Sequence, residues 1–135
     1  MIIFKFEPLY QERPWGGNTI AKNFNRENIH KCNNIGESWE IVDRPEAQSI
    51  VSEGPSIGNS LRELILKNCY SIMGPNWDQN ARFPILVKWL DCKERLSLQV
   101  HPPKNIANEL GGEPKTENWY IADASNDSGL FIGLK

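Results

Sequence analysis

Three polar residues at two-residue spacing, Ser97, Gln99 and His101, lie in the stretch LSLQVHPP at 96–103. Side chains two apart on a strand project from the same face, so these three would share one face and the apolar residues between them the other. His101 is one of only two histidines in the chain. The segment is therefore either a strand that lines a site or a strand with an ordinary solvated face.

A second segment, PKTENWYI at 114–121, places Lys115 and Glu117 on one face in the same way. If both strands belong to one sheet and turn their polar faces inward, Gln99, His101 and Glu117 converge. Their amide oxygen, imidazole nitrogen and carboxylate oxygen form a mixed ligand set that suits Zn²⁺, Mn²⁺ or Fe²⁺. With an open coordination position, such a metal ion could act as a Lewis acid on a substrate oxygen.

Spacing alone leaves ordinary alternatives open for these residues. A lone histidine on a strand is commonly a surface or structural residue, and Lys115 with Glu117 can be a surface ion pair worth less than about 1 kcal/mol. His30 and Cys32, in the polar stretch IHKCNN, could be imagined as a metal-binding pair. We interpret that stretch as a polar loop and do not assign His30 as a further ligand.

The elements that must position these residues are predicted to be many short strands with one strong helix. A helix is predicted over 60–73, because Ser60 and Glu63 match a capping box and Gly74 follows as a stop signal. A shorter helix is predicted over about 104–110. Strands are predicted in IIFKFEPLY and at 37–43, 83–92, 96–101, 116–123 and 129–135, with a turn at PWGG, residues 14–17.

Length and composition exclude several classes of protein. The chain has 135 residues, enough for one domain with a core, and a net charge of -2 gives no electrostatic footprint for nucleic acid. No apolar run is long enough to cross a membrane. Three cysteines without a CxxC pair favour a reducing compartment. We therefore expect a cytoplasmic protein that binds neither nucleic acid nor a membrane.

Four segments in order carry a family resemblance: GESWEI at 36–41, FPILVKWLD at 83–91, LSLQVHPP and PKTENWYI. Together they resemble type I mannose-6-phosphate isomerase, and PWGG and GLFIGLK fit the same family. The resemblance implies a mainly β fold, a cupin-type jelly-roll β-barrel or sandwich with a small helical insertion. Residues 1–135 would form a single cupin-type domain, the N-terminal part of such an isomerase, with a barrel that is incomplete at its C-terminal end.

The implied activity is zinc-dependent interconversion of mannose 6-phosphate and fructose 6-phosphate through an enediol. By resemblance, Gln99, His101 and Glu117 fall on three of the family's four zinc ligands, with one Zn²⁺ per site. Ser97 and Lys115 fall on substrate-contact positions.

Further residues are assigned by the same resemblance. Lys115 is also the candidate catalytic residue, and Trp15 is a weaker candidate for the substrate pocket. Glu37 and Trp39 are expected to serve structure, through hydrogen bonding and packing.

The sequence also departs from the family pattern. The fourth zinc-ligand histidine and the catalytic arginine of the family have no counterpart in these 135 residues. We therefore expect weak zinc retention, little or no turnover by this chain, and self-association through the incomplete barrel. The alternatives are a non-catalytic cupin module that binds sugar or metal, and a structural remnant without either activity.

Overall fold

The computed structural model describes residues 3–26, 29 and 34–133. Its contacts divide the chain into two compact units, Met1–Ser97 (unit 1) and Leu98–Lys135 (unit 2), and a single domain over 1–135 stays a prediction. All the described helices and strands lie in unit 1. They are β1 (Lys5–Phe6), β2 (Leu9–Gly17), α1 (Thr19–Asn23), β3 (Ile35–Ile41), β4 (Asp43–Arg44), β5 (Ala47–Gln48), β6 (Val51–Glu53), α2 (Leu61–Met73) and β7 (Val87–Leu90).

The largest sheet has three antiparallel strands in the order β2-β3-β7. Glu37 of β3 pairs with Gln11 of β2 on one side and with Leu90 of β7 on the other. Strands β1 and β6 form a second pair, and β4 and β5 form a third. The predicted mainly β class with a small helical part is confirmed, although the described sheets do not close into a barrel.

The predicted turn at PWGG is wrong, because these residues form the end of β2. A Cβ on Gly16 would lie 2.5 Å from the carbonyl oxygen of Asn34, so this close approach of two chain segments requires glycine.

Helix α1 follows β2 and was not predicted from the sequence. The carboxylate of Asp91 accepts the backbone N–H of Thr19, which provides the helix with a cap from a distant part of the chain.

The predicted helix over 60–73 is confirmed as α2. The Ser60 hydroxyl accepts the Glu63 backbone N–H, and the Glu63 carboxylate accepts the Ser60 N–H, so the capping box forms in full. Leu64 and Ile65 are buried. Gly74 ends the helix at a φ of 90°, a conformation that favours glycine.

One buried apolar cluster of unit 1 holds α1 in place. Ile20 and Ala21 of α1 pack with Ile29 and Ile35, and Tyr10 covers the cluster from β2. Burying these apolar side chains supplies the favourable free energy that holds α1 against the sheet. Neither helix among the described residues is long and apolar enough to cross a bilayer.

The strands predicted at 96–101 and 116–123 are wrong, and the described part of the strand predicted at 129–135 has no strand either. The helix predicted over about 104–110 is a series of hydrogen-bonded turns instead. Leu98 is 84% exposed and Val100 is 74% exposed, so neither packs on a covering layer. Alternation in a sequence shows only that a segment could pair, whereas a strand also needs a neighbour. His30, Cys32, Leu134 and Lys135 lie outside the described residues.

Candidate functional site

An open cleft of about 570 Å³ lies within unit 2, and it contains two of the residues singled out from the sequence. The chain turns back on itself over 103–112. Residues on both sides of this turn therefore line the cleft. The lining residues are His101, Pro102, Pro103, Lys104, Pro114, Lys115 and Thr116.

Lys115 forms an ion pair with Glu117 beside this cleft, with 3.1 Å between Nζ and Oε1. Partial burial raises the pKa of the Glu117 carboxyl. Hydrogen bonds from Lys115 and Trp119 and the positive charges of Lys115 and His101 outweigh that effect, and the pKa lies below its ordinary value. Glu117 is therefore an anion at neutral pH, paired with the Lys115 ammonium group beside the cleft that His101 lines.

The donors present fit a divalent metal ion in their chemistry. His101 offers an imidazole nitrogen and Glu117 a carboxylate oxygen, and borderline metals such as zinc accept both. No group of three His, Cys, Asp or Glu side chains gathers within the described residues. A complete shell would therefore require the Gln99 oxygen and a further donor.

The other predicted site residues are not brought together by described contacts. Gln99 is exposed in unit 2, and Ser97 is exposed at the end of unit 1. Trp15 is buried in β2, and Gly36 lies against its ring. The carbonyl oxygen of Trp15 accepts the Glu94 N–H. These contacts assign Trp15 a packing role, and its approach to substrate stays a prediction.

Glu37 has the structural environment that the sequence analysis expected. Its carboxylate is 5% exposed and accepts hydrogen bonds from Arg13 at 2.9 Å, Trp39 Nε1 at 3.0 Å and Lys88 at 3.0 Å. Burial raises the pKa of Glu37, but these donors and charges outweigh it and hold the pKa below its ordinary value. The sequence analysis assigned no role to Lys88, which lies within the strand predicted at 83–92.

Lys104 and Thr116 are the cleft residues that the sequence analysis missed. Lys104 directly follows the HPP of the histidine segment, and Thr116 directly follows Lys115. The position of Lys104 next to a candidate ligand segment is the sequence signal that could have indicated a place on the cleft. Their common location depends on how the turn over 103–112 closes, which spacing does not reveal.

Comparisons with known proteins give a consistent result. The family profile "Phosphomannose isomerase type I, catalytic domain" matches residues 3–130. The putative mannose-6-phosphate isomerase YvyI of Bacillus subtilis is 36% identical over 128 residues, which cover 93% of this chain and 39% of that protein. Mannose-6-phosphate isomerase ManA of the same organism is 36% identical over 130 residues, which cover 95% of this chain and 39% of that protein.

A solved structure supports the same likeness. The crystal structure of mannose 6-phosphate isomerase from Bacillus subtilis aligns with a TM-score of 0.69 and 33% identity over 82% of this chain and 34% of that chain. This confirms the expected cupin-type fold. The chain spans about two fifths of the length of the curated relatives it matches.

Proposed function

Because the chain belongs to the type I phosphomannose isomerase family, we propose that it serves the interconversion of mannose 6-phosphate and fructose 6-phosphate in carbohydrate metabolism. The observation that carries this proposal is the grouping of His101, Lys115 and Glu117 in one part of unit 2. These are residue types that aldose–ketose isomerisation uses: a metal-ligand pair and a cation near it.

We propose Zn²⁺ as the metal ion and Gln99, His101 and Glu117 as its ligands. A zinc ion bound there would supply a Lewis acid for the carbonyl and hydroxyl oxygens of the sugar. The Glu117 carboxylate is ionised at neutral pH, as a metal ligand must be.

Lys115 is the proposed catalytic and substrate-contact residue. Its ammonium group already holds the Glu117 carboxylate and lines the cleft, so it can donate a hydrogen bond to a sugar or phosphate oxygen that enters. A cation in this position would stabilise negative charge that develops on the enediolate oxygen. Ser97 and Trp15 are further substrate contacts in this proposal.

The proposed setting is the cytoplasm, since three cysteines without a CxxC pair suit a reducing compartment. We also propose self-association. Unit 2 exposes large apolar side chains, including Leu98, Tyr120, Phe131 and Ile132 at 84–88%, and exposed apolar surface favours association.

The test measures zinc binding and isomerisation on the same chain. Zinc is titrated by competition with a chelator, and conversion of mannose 6-phosphate is followed by NMR with added zinc or with EDTA. We expect one zinc per chain at micromolar affinity, weakened at least tenfold in Glu117→Gln. The control is Glu109→Gln, an exposed carboxylate in the same unit.

The possible outcomes separate the candidate functions. Zinc-dependent turnover that Glu117→Gln abolishes would support the isomerase. Zinc binding that depends on Glu117 without turnover would favour a metal-binding module. Equal zinc affinity in Glu117→Gln and the unaltered chain would refute the proposed ligand set.

A further inference from the structure

We propose that a second cleft, formed in unit 1 by the end of α2 and the loop over 74–81, binds a small organic cation, an ammonium ion with carbon substituents. This α2 cleft has a volume of about 400 Å³, which lies within the range of small-molecule sites. The lining side chains that the inference uses are Cys69, Tyr70, Trp77, Asp78, Gln79 and Asn80. These residues have no part in the proposed isomerase function, so the inference goes beyond it.

The charge in the α2 cleft is negative. Of the side chains that line it, Asp78 alone carries a charge at neutral pH. Arg62 and Arg82, the arginines before and after it in the chain, both pair with Asp43 instead. A carboxylate that faces a cleft without a compensating cation in the lining attracts a positively charged ligand into it.

Two aromatic rings share the lining with this carboxylate. Tyr70 belongs to the last turn of α2 and is 74% exposed, and Trp77 belongs to the loop that follows. The face of an aromatic ring carries partial negative charge and attracts ammonium groups, and carbon substituents can cover the apolar part of the ring. A metal ion would prefer oxygen ligands to the rings, so the combination of aromatic and acidic side chains favours an organic cation.

The loop that carries Asp78 is held in place before any ligand enters. Arg62 of α2 donates hydrogen bonds to the carbonyl oxygens of Gln79 and Ala81, each at 2.8 Å. Oδ1 of Asp78 accepts the Asn80 N–H at 2.9 Å, which orients the carboxylate, while Oδ2 has no hydrogen bond from a described residue. Because the loop is already ordered, binding costs less conformational entropy.

The experiment titrates the full chain with choline and with its neutral analogue, in which a carbon atom replaces the nitrogen, and follows the ligand signals by NMR. The two ligands have the same shape, so the difference between them measures the effect of charge. We expect choline to bind with millimolar affinity and the analogue to bind about fivefold more weakly. Binding of choline should also weaken as salt is added.

Two variants separate the carboxylate from the ring. Asp78→Asn keeps an oxygen for the Asn80 N–H and removes only the charge, so it should weaken choline binding about fivefold. Tyr70→Leu should weaken it about threefold, and Tyr70→Phe, which keeps the ring, should retain it. The matched controls are Asp127→Asn and Tyr120→Leu, exposed side chains of unit 2, which should have no effect.

Alkylation of the cysteines tests where choline binds. Cys69 lines the α2 cleft and Cys92 does not, so saturating choline should slow the reaction of Cys69 with iodoacetamide and leave that of Cys92 unchanged. Mass spectrometry of the digested chain measures both rates. Equal binding of choline and its neutral analogue, or equal choline affinity in Asp78→Asn and the unaltered chain, would overturn the inference. An unchanged rate at Cys69 would overturn the location.

Discussion

Replacing Asp43 by asparagine removes the charge from a carboxylate whose side chain has no exposed area. The two oxygens accept hydrogen bonds from Phe83 N–H at 2.9 Å, Gln48 Nε2 at 2.9 Å and Arg82 at 3.0 Å, and Arg62 lies 3.6 Å away. These partners come from β5, from α2 and from the segment before β7. Asp43 thus ties three parts of unit 1 together.

The expected loss of stability depends on how far each partner of Asp43 can regain hydrogen bonds with water or with the asparagine. Removing one member of a buried ion pair costs about 3–5 kcal/mol when the remaining charge stays buried. Arg82 is 46% exposed and regains water, whereas Arg62 is 17% exposed and recovers little. An asparagine oxygen can still accept the Phe83 N–H. We therefore expect Asp43→Asn to lower the free energy of unfolding by about 2–3 kcal/mol.

Urea unfolding monitored by fluorescence of the five tryptophans measures this loss. With an m-value of about 1–3 kcal/mol per molar urea, the midpoint should fall by about 0.7–3 M. The control is Asp127→Asn, which removes an exposed carboxylate and should leave the midpoint unchanged. Equal midpoints for the two variants would refute the reasoning.

The pH dependence gives an independent check. Burial raises the pKa of Asp43, but hydrogen bonds from Phe83, Gln48 and Arg82 and the charge of Arg62 outweigh it, so the folded-state pKa lies below its ordinary value. Stabilisation by this charge is therefore complete above about pH 4, the pKa of an unperturbed aspartate, and is lost as the pH falls through the folded-state pKa. The difference between the unaltered chain and Asp43→Asn should shrink from pH 7 to pH 3.

Two further substitutions test local features of unit 1. Gly16→Ala should destabilise the chain by about 1–3 kcal/mol, because the new Cβ would lie 2.5 Å from the Asn34 carbonyl oxygen; Gly129→Ala, which meets nothing within 4 Å, is the matched control in urea unfolding. Ser60→Ala should cost about 1 kcal/mol through loss of the N-cap of α2. A melting temperature equal to that of the unaltered chain, measured by circular dichroism, would contradict the capping argument.

Local signals explain what was predictable from the sequence. The bounds of α2 follow from Ser60, Glu63 and Gly74, all of which act within one helical turn of its ends. Helix α1 carries no such signal, since its N–H groups are accepted by Asp91, 72 residues away from Thr19. Contacts between distant residues decide such elements, and a single sequence does not specify those contacts.

Only part of the candidate site, too, could be predicted from the sequence. The convergence of Gln99, His101 and Glu117 stays a prediction, and the strands that were to align them are not present among the described residues. Alternation therefore predicted strands that do not form, and the ligand assignment rests on the family resemblance alone. Lys104 was missed because its position on the cleft depends on the close passage of Gly112 by Pro102.

Buried charge in unit 1 selects the strand register. Glu37 of β3 is held by Arg13 of β2 and by Lys88 of β7. Since a slip of one residue turns every side chain to the opposite face, a shifted β7 would withdraw Lys88 and leave a buried carboxylate short of a cation. The same slip of β7 would also move Asp91, which follows β7, away from the Thr19 N–H. The Glu37–Lys88 ion pair, by fixing the register of β7, therefore also keeps the cap of α1 in place.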